Sequence, residues 1–435
     1  MLEKSSWGRL RRVPHEVARP AFLDELQQTV RPGDKALLCY GKGRSYGDVC
    51  LNENGRLLVT DRLDRIISFD RETGVLRAEA GLTLDRLLQV VVPHGWFPPV
   101  VPGTKFVTLG GMVANDVHGK NHETVGTFGA HVRALALARS SGEVLTLSRS
   151  ENAELFAVTV GGLGLTGVIL WVELRLSPVR SAMIDTETST IEDLAAFFRL
   201  ATAHREWPYT VAWVDCLAKG SATGRGLFIR GRHAESGGLA AHGAGKTGVP
   251  FDAPGVLLNA RTIGLFNTLY RHRPFALGAK RVHYDSFFFP LDAVNDWNRL
   301  YGRRGFYQHQ SVVPMADAED TLRKLFALTA EFGEGSFLVV LKLFGDKPSS
   351  GVLSFPMPGA TLALDFPNKG ESTRRLLTRM ADVVLEAGGR LYPAKDATMS
   401  AQMFRAGYPD WRKVEERRDP AIMSDFWRRV TAEAA

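Results

Sequence analysis

The octapeptide Gly41-Lys-Gly-Arg-Ser-Tyr-Gly-Asp48 combines three glycines (Gly41, Gly43, Gly47), a hydroxyl (Ser45) and two cations, the residue types a diphosphate cradle needs. It follows an apolar stretch, Ala36-Leu-Leu-Cys-Tyr40, as phosphate loops do, yet no helix opens after it. The chain passes through the turn Asn52-Glu-Asn-Gly55 into a second strand, Leu57-Leu-Val-Thr60, so the Rossmann order of strand, glycine loop and helix is excluded. A loop between strands can still offer successive backbone N–H groups to an anion without a helix dipole; the competing possibility is a glycine-rich hairpin. Three more glycine-rich segments share this block: Pro102-Gly-Thr104 through Gly110-Gly111, His118-Gly-Lys-Asn121 with Gly126-Thr-Phe-Gly129, and Gly161–Gly167. Glycine at this density lets backbone approach a large ligand closely and leaves many N–H donors unblocked.

Other side chains could act on such a ligand. Tyr46 can hydrogen-bond from within the loop or simply pack. His118 and His122 stand four apart, but Gly119 disfavours a helix between them and no third ligand follows, so no metal is expected. Gln308, Gln310 and Lys342 fall on extended segments where alternate residues share a face; they suit a sugar phosphate or a polar solvent face. Trp7 can stack on a sugar or pack the N-terminus. Lys395 lies just past a strand end, placed to enter a cleft or to pair with Asp396 at the surface.

The elements that must position these groups read as two domains over 435 residues, 45% hydrophobic and 23% charged. Residues 21–30 suggest a helix. Strands follow at Arg56–Thr60, Ile66–Phe69 and Val75–Ala80, and Thr83 caps a helix, Leu84–Val92, that Pro93 and Gly95 end. An extended small-residue segment runs to Gly129, then a hairpin, Val132–Arg139 with Glu143–Leu147, a helical turn at Glu154–Ala157 and a strand, Val168–Leu176. Beyond it, strands (Thr210–Asp215, Leu227–Arg230, His283–Phe289, Ser336–Phe344, Ala360–Phe366) mix with amphipathic helices (Ile191–His204, Asp317–Phe332, Glu371–Ala387), an α+β pattern with helices on one face of an antiparallel sheet. Residues 237–274 read as a long mobile loop. A strand, Arg390–Pro393, and helices complete the chain. Expected domain limits are 1–178, 179–389 and a C-terminal segment, 390–435, returning to the first domain.

The three cysteines (Cys39, Cys50, Cys216) show no CxxC spacing, which points to a reducing compartment and away from structural zinc. No signal peptide or membrane-length apolar run is found, so a cytoplasmic or peripheral membrane protein is expected. The net charge of +7 is dispersed and the Arg412–Arg418 run is interleaved with Glu415 and Glu416, which argues against nucleic-acid binding. A mild attraction to anionic lipid or to a phosphorylated substrate fits that charge.

The glycine-rich block resembles the FAD-binding domain of the vanillyl-alcohol-oxidase/p-cresol-methylhydroxylase (VAO/PCMH) superfamily. More narrowly, the chain is similar to the decaprenylphosphoryl-β-D-ribose 2′-oxidase family. The matching motifs span nearly its whole length: Trp7-Gly-Arg9, Gly43–Asp48, Pro102-Gly-Thr104, Val107–Gly111, Asp116–His122, Gly126–Gly129, Gly161–Ile169, Val211–Asp215, Phe289–Asp292, Tyr307–Gln310, Lys342–Gly345, Leu353–Pro356, Asp365-Phe-Pro367 and Tyr392–Asp396. The resemblance implies an α+β, two-domain PCMH/VAO-type FAD-binding fold with an antiparallel-sheet cap.

It further implies that FAD is lined by Cys39–Val49 (including Gly41, Gly43, Arg44, Ser45, Tyr46, Gly47 and Asp48), Gly103, Thr108, Gly110, Gly111, His118, Gly119, Lys120, Asn121, Ile169 and Tyr392. Arg44 stands where many members carry a histidine bonded to the flavin; arginine cannot form that bond, so the FAD is expected to be non-covalent. Lys395, with Tyr46 and His118, would serve catalysis, Lys395 taking the hydroxyl proton as hydride leaves the alcohol carbon. Trp7, Gln308, Gln310, Lys342, Phe344, Ala363 and Lys395 would hold substrate. Ala363 replaces a cysteine of mycobacterial-type members, which implies packing beside substrate at that position.

The implied reaction oxidises the 2′-hydroxyl of a polyprenyl-phosphate-linked ribose, with a quinone-like acceptor or oxygen taking the electrons. A separate NAD(P)H-dependent short-chain reductase would finish the epimerisation to the arabinose form. Competing expectations are an oxidase of a soluble sugar, alditol or aldonolactone, and a flavin-fold scaffold for the reductase.

Overall fold

The apolar run Leu37–Tyr40 forms an edge strand, with Arg56–Val59 parallel beside it burying Leu57 and Leu58 in the same layer. Val13–Ala18 pairs parallel to Arg56–Val59 and Leu2–Lys4 closes the edge antiparallel, giving a four-stranded sheet. Two neighbouring parallel strands oblige residues 41–55 to cross the sheet end, and that crossing carries the glycine loop. The computed structural model describes residues 1–243, 247–254, 258–272, 277–336 and 338–432.

A second sheet of five antiparallel strands runs Ile66–Phe69, Val75–Glu79, Val168–Arg175, Val132–Ala138, Val144–Ser148. Its buried Leu76, Leu135, Leu137 and Val172 pack with Leu84, Leu88, Leu109 and Met112 from two helices. Thr83 accepts a hydrogen bond from the Arg86 amide to start the first helix, and Gly95 at φ +78° stops the chain beyond it, as expected.

The third sheet has eight strands in the order Gly278–His283, Met183–Ile191, Gly226–His233, Tyr209–Val214, Val339–Phe344, Gly359–Pro367, Phe306–Pro314, Arg390–Leu391. The strand period of two divides it cleanly. Leu341, Leu343, Leu362 and Leu364 join the helices Leu194–Ala203, Ala318–Glu331 and Glu371–Glu386 in one core. Gln308, Gln310, Lys342, Thr361, Ala363 and Asp365 alternate with them and so occupy the opposite face.

The short strand Arg390–Leu391 extends this third sheet, after which the tail crosses to the first one. There the Leu37 amide donates to Ala421 O at 2.7 Å and the Met423 amide to Leu37 O at 3.0 Å. Arg429, from the last helix, grips Asp48 of the glycine loop (3.0 and 2.7 Å) and Asp396 (3.2 Å).

Three expectations are corrected. His283–Phe289 is not a strand: Gly278–His283 is, and Tyr284–Phe288 is a helix begun by the His283 side chain accepting the Asp285 amide. A short apolar run does not distinguish the two states, and here Tyr284, Phe287 and Phe288 fall on one buried helical face. The segment up to Gly129 contains short helices, Leu109–Ala114 and His122–Val125, the first capped by Thr108. Within 237–274, Ala260–Arg271 is a helix with a capping box formed by Asn259 and Thr262. Positions 244–246, 255–257, 273 and 274 of that span lie outside the described residues. Met183–Ile191, polar in sequence, forms an inner strand because both its edges are hydrogen-bonded.

Replacing Arg429 by alanine leaves Asp48 and Asp396 converging without a counter-charge. The apparent melting temperature of the flavin-loaded protein is expected to fall by about 5 °C in a thermal scan. Lys413→Ala, which removes only the exposed pair with Asp410, should change it by about 1 °C or less.

Candidate active site

Lys395 is placed by backbone. Its turn closes through the Lys395 and Asp396 amides donating to Tyr392 O at 3.0 and 3.1 Å, and the Tyr46 amide donates to Ala394 O at 3.0 Å. A Cβ on Gly47 would lie 1.6 Å from Asp396 O, so only glycine lets the loop reach this turn. The contact sets the Lys395 ammonium 4.0 Å from the centre of the Tyr46 ring. The surface-pair alternative fails. The Asp396 carboxylate is spent on Arg429 and on the Thr398 and Met399 amides.

The charge facing Lys395 is instead Asp365, fully buried on the strand Gly359–Pro367. Burial lowers the lysine's pKa from 10.5 while the Asp365 carboxylate opposes that shift. Burial likewise raises Asp365, against the Gln308 amide that donates to it, the Lys395 charge and the Tyr301 hydroxyl.

Two more half-buried lysines share the cleft. Burial, aided by the charges of Lys120 and Lys395, pulls Lys342 down to about 7; burial alone takes Lys120 to about 8. Among the described residues their ammonium groups donate only to backbone, Lys342 to Gly119 O at 3.4 Å and Lys120 to Phe288 O at 3.2 Å. Cations drained of water and of carboxylates in this way suit an anionic ligand.

His118 is kept neutral, its pKa driven well below 6.5 by burial and then by Lys342, His122 and Lys395. The Gln310 amide nitrogen, 3.1 Å away, donates to His118 Nε2, which leaves the ring proton on Nδ1. The ring sits among Phe344, Tyr392 and Phe355 at 4.9, 5.3 and 5.6 Å. His118 Nδ1, Asn115 Oδ1 and Thr361 Oγ1 are buried polar atoms with no hydrogen-bond partner among the described residues. The unpartnered polar atoms, the glycine cradle and the cations together fit a flavin with its diphosphate.

The predicted residues sort by place. Lys395, Tyr46, Gln308, Gln310, His118, Lys342, Phe344 and Tyr392 converge. Ala363 lies opposite Gln310 in register. The Trp7 amide donates to Ser45 O at 2.8 Å, and the Arg44 guanidinium lies 3.9 Å from the Trp7 ring centre and 5.3 Å from that of Phe106. Gly41 packs on Thr108, Gly111 donates to the Thr108 hydroxyl, Gly110 donates to Ala80 O, and Gly103 faces open space. Gly119 sits close against Val101, and Ile169 is buried on its strand. Two have structural employment: Asp48 with Arg429, and Asn121, whose amide donates to Pro99 O at 2.8 Å.

Sequence reasoning missed Asp365, Tyr301 and Thr361 as site residues. The available signal was the strand period, which sets Asp365 and Thr361 on the face of Ala363. Among the described residues, no group of three or more His, Cys, Asp or Glu is placed to hold a metal ion, and no helix is long and apolar enough to cross a membrane.

Comparison with known proteins agrees with this geometry. Residues 14–148 match a family described as an FAD binding domain, and FAD is the cofactor. Decaprenylphosphoryl-beta-D-ribose oxidase of Mycolicibacterium smegmatis is 36% identical over 92% of this chain and 90% of its own. An uncharacterized protein of Streptomyces coelicolor is 35% identical over 80% of this chain and 100% of its own. L-gulonolactone oxidase of Mus musculus is 27% identical over only 42% of this chain. The chain is an FAD-dependent oxidoreductase acting on a CH–OH group. Because Arg44 can form no bond to the flavin, acid precipitation should move all flavin absorbance into the supernatant; colour retained in the pellet would reveal a covalent link.

Proposed function

The chain belongs to the family of decaprenylphosphoryl-β-D-ribose oxidases, and on that footing we propose that it oxidises the 2′-hydroxyl of a polyprenyl-phosphoryl-β-D-ribose to the 2′-keto sugar. The observation that carries this reading is Lys395, electrostatically tied to Asp365 and set against the Tyr46 ring on a cleft where, among the described residues, neither Lys120 nor Lys342 has a carboxylate partner. Bound FAD supplies the two-electron acceptor for the hydride leaving C2′.

The chain's own residues handle the proton and the orientation. Neutral Lys395 takes the hydroxyl proton at Nζ as the C–H bond breaks, and the resulting ammonium is held by the Asp365 carboxylate and the Tyr46 ring face. Gln308 fixes Asp365, and Gln310 fixes His118 as a neutral donor through Nδ1. Lys342, with Lys120, offers charge to the phosphodiester that joins sugar and lipid. Electrons then pass to a quinone-like acceptor or oxygen. A separate NAD(P)H-dependent short-chain reductase reduces the ketone from the opposite face, completing the conversion to the arabinose form. A soluble sugar, alditol or aldonolactone as substrate is less well supported, since the lactone-oxidase likeness covers under half of the chain.

Anaerobic mixing tests the reading. Polyprenyl-phosphoryl ribose should bleach the flavin, and free alditols should not; the reverse pattern would sink it. Lys395→Ala should keep its flavin and lose about a thousandfold in reduction rate. Only unprotonated Lys395 can act as base, so the rate should rise with pH through an inflection below 10.5, the side to which burial shifts it. Asp365→Asn removes the charge that opposes this shift and should move the inflection to still lower pH.

A further inference from the structure

Six of the thirteen large apolar side chains exposed among the described residues lie between positions 251 and 300. Three of them, Leu265, Phe266 and Leu269, belong to the helix Ala260–Arg271. That helix is bolted down by its other side. Ile263 packs beside Gly335, the Asn267 amide donates to Asp215 at 2.8 Å, and Tyr270 meets the Trp213 ring at 4.7 Å. Leu265 and Leu269 are left 62% and 63% exposed. A helix that buries its asparagine and presents leucines outward inverts the pattern of one that faces water.

Phe251, 71% exposed, stands on the same stretch of chain at the edge of a depression of about 350 Å³ lined by Arg9, Arg12, Arg299 and Arg303. The acidic residue in that lining, Asp252, is taken by Arg9. Arg299 donates to Val249 O and Pro250 O and so fixes the backbone leading to Phe251. Arg12 and Arg303 are exposed and have no ion-pair partner among the described residues.

This stretch borders the catalytic cleft at two points. Leu258 packs with Trp7, Tyr46 and Trp297, and Tyr270 covers Trp213, which pairs with Val340 in the row that continues to Ala363 and Gln310.

We propose that this rim docks on an anionic phospholipid bilayer, with Phe251, Leu265 and Leu269 entering the headgroup region and Arg12 and Arg303 meeting lipid phosphates. Apolar side chains that leave water and arginines that meet a negative surface act in the same direction, toward the membrane. The inference deepens the lipid-linked substrate reading and rests on it for its purpose: a sugar could enter the cleft while its polyprenyl chain stays in the bilayer.

The test is flotation of the flavin-loaded full chain with vesicles of phosphatidylcholine alone or mixed with phosphatidylglycerol. The chain should float only with the anionic vesicles. Leu265→Ser/Leu269→Ser and Arg12→Glu/Arg303→Glu should each reduce the bound fraction about tenfold or more. Both should keep the flavin spectrum and the rate of flavin reduction by substrate in detergent.

A wild-type chain that floats with neither vesicle, or double variants that float undiminished, would overturn the docking surface. Release by inorganic phosphate, at an ionic strength where chloride does not release, would also overturn it by marking a free-anion site. Vesicle binding without bleaching by polyprenyl-phosphoryl ribose would fault the substrate reading and leave the surface standing. Bleaching in detergent without vesicle binding would do the opposite.

Discussion

Arg429 holds together three parts of the chain that sequence keeps far apart: the glycine loop through Asp48, the lysine turn through Asp396, and the last helix that carries it. Two carboxylates, 13% and 7% exposed, would repel if brought together alone, so the loop and the turn meet only because a guanidinium lies between them. Gly47 supplies the complementary steric condition, since any side chain there would overlap the Asp396 carbonyl. Charge and missing Cβ together fix how deep the turn sits. That depth decides whether Lys395 looks at Tyr46 and Asp365 or at water. The placement of Lys395 is therefore set by Arg429, Asp48, Asp396 and Gly47.

The cleft spends stability to gain binding. Each of Lys120, Lys342 and Lys395 has lost most of its hydration, and one carboxylate, Asp365, shares the volume with them. The cationic form of all three is thus disfavoured, a cost that an anion placed beside them would offset. The same desolvation that makes the site a poor place for ammonium groups favours the neutral amine of Lys395.

Much of this was legible in the sequence, and the limits have physical causes. Thr83 with Pro93 and Gly95 delimited a helix because capping is local, and the Val132–Ser148 hairpin announced itself through its central Ser-Ser-Gly turn. That Gln308 and Gln310 share a face followed from the strand period alone. What failed was whatever depended on tertiary partners. Tyr284–Phe288 reads as a strand until His283 is seen to cap it. Ala260–Arg271 was lost because its exposed leucines and buried asparagine reverse the expected amphipathic pattern. Asp48 fits a cofactor loop by composition, and only the arrival of Arg429 from the far end of the chain gives its carboxylate another task.

Ala363 shows where the chemistry ends and shape begins. It stands in one row of the sheet between Gln310 and Val340, with Trp213 next along. The polar atoms around it belong to its neighbours: Gln310 reaches His118, Gln308 reaches Asp365, and Thr361 two residues away keeps an unpartnered hydroxyl. A methyl group at that point can neither move a proton nor hold a charge. In the proposed mechanism the proton is handled by Lys395, Tyr46 and Asp365, so a change of volume at Ala363 leaves those groups in place.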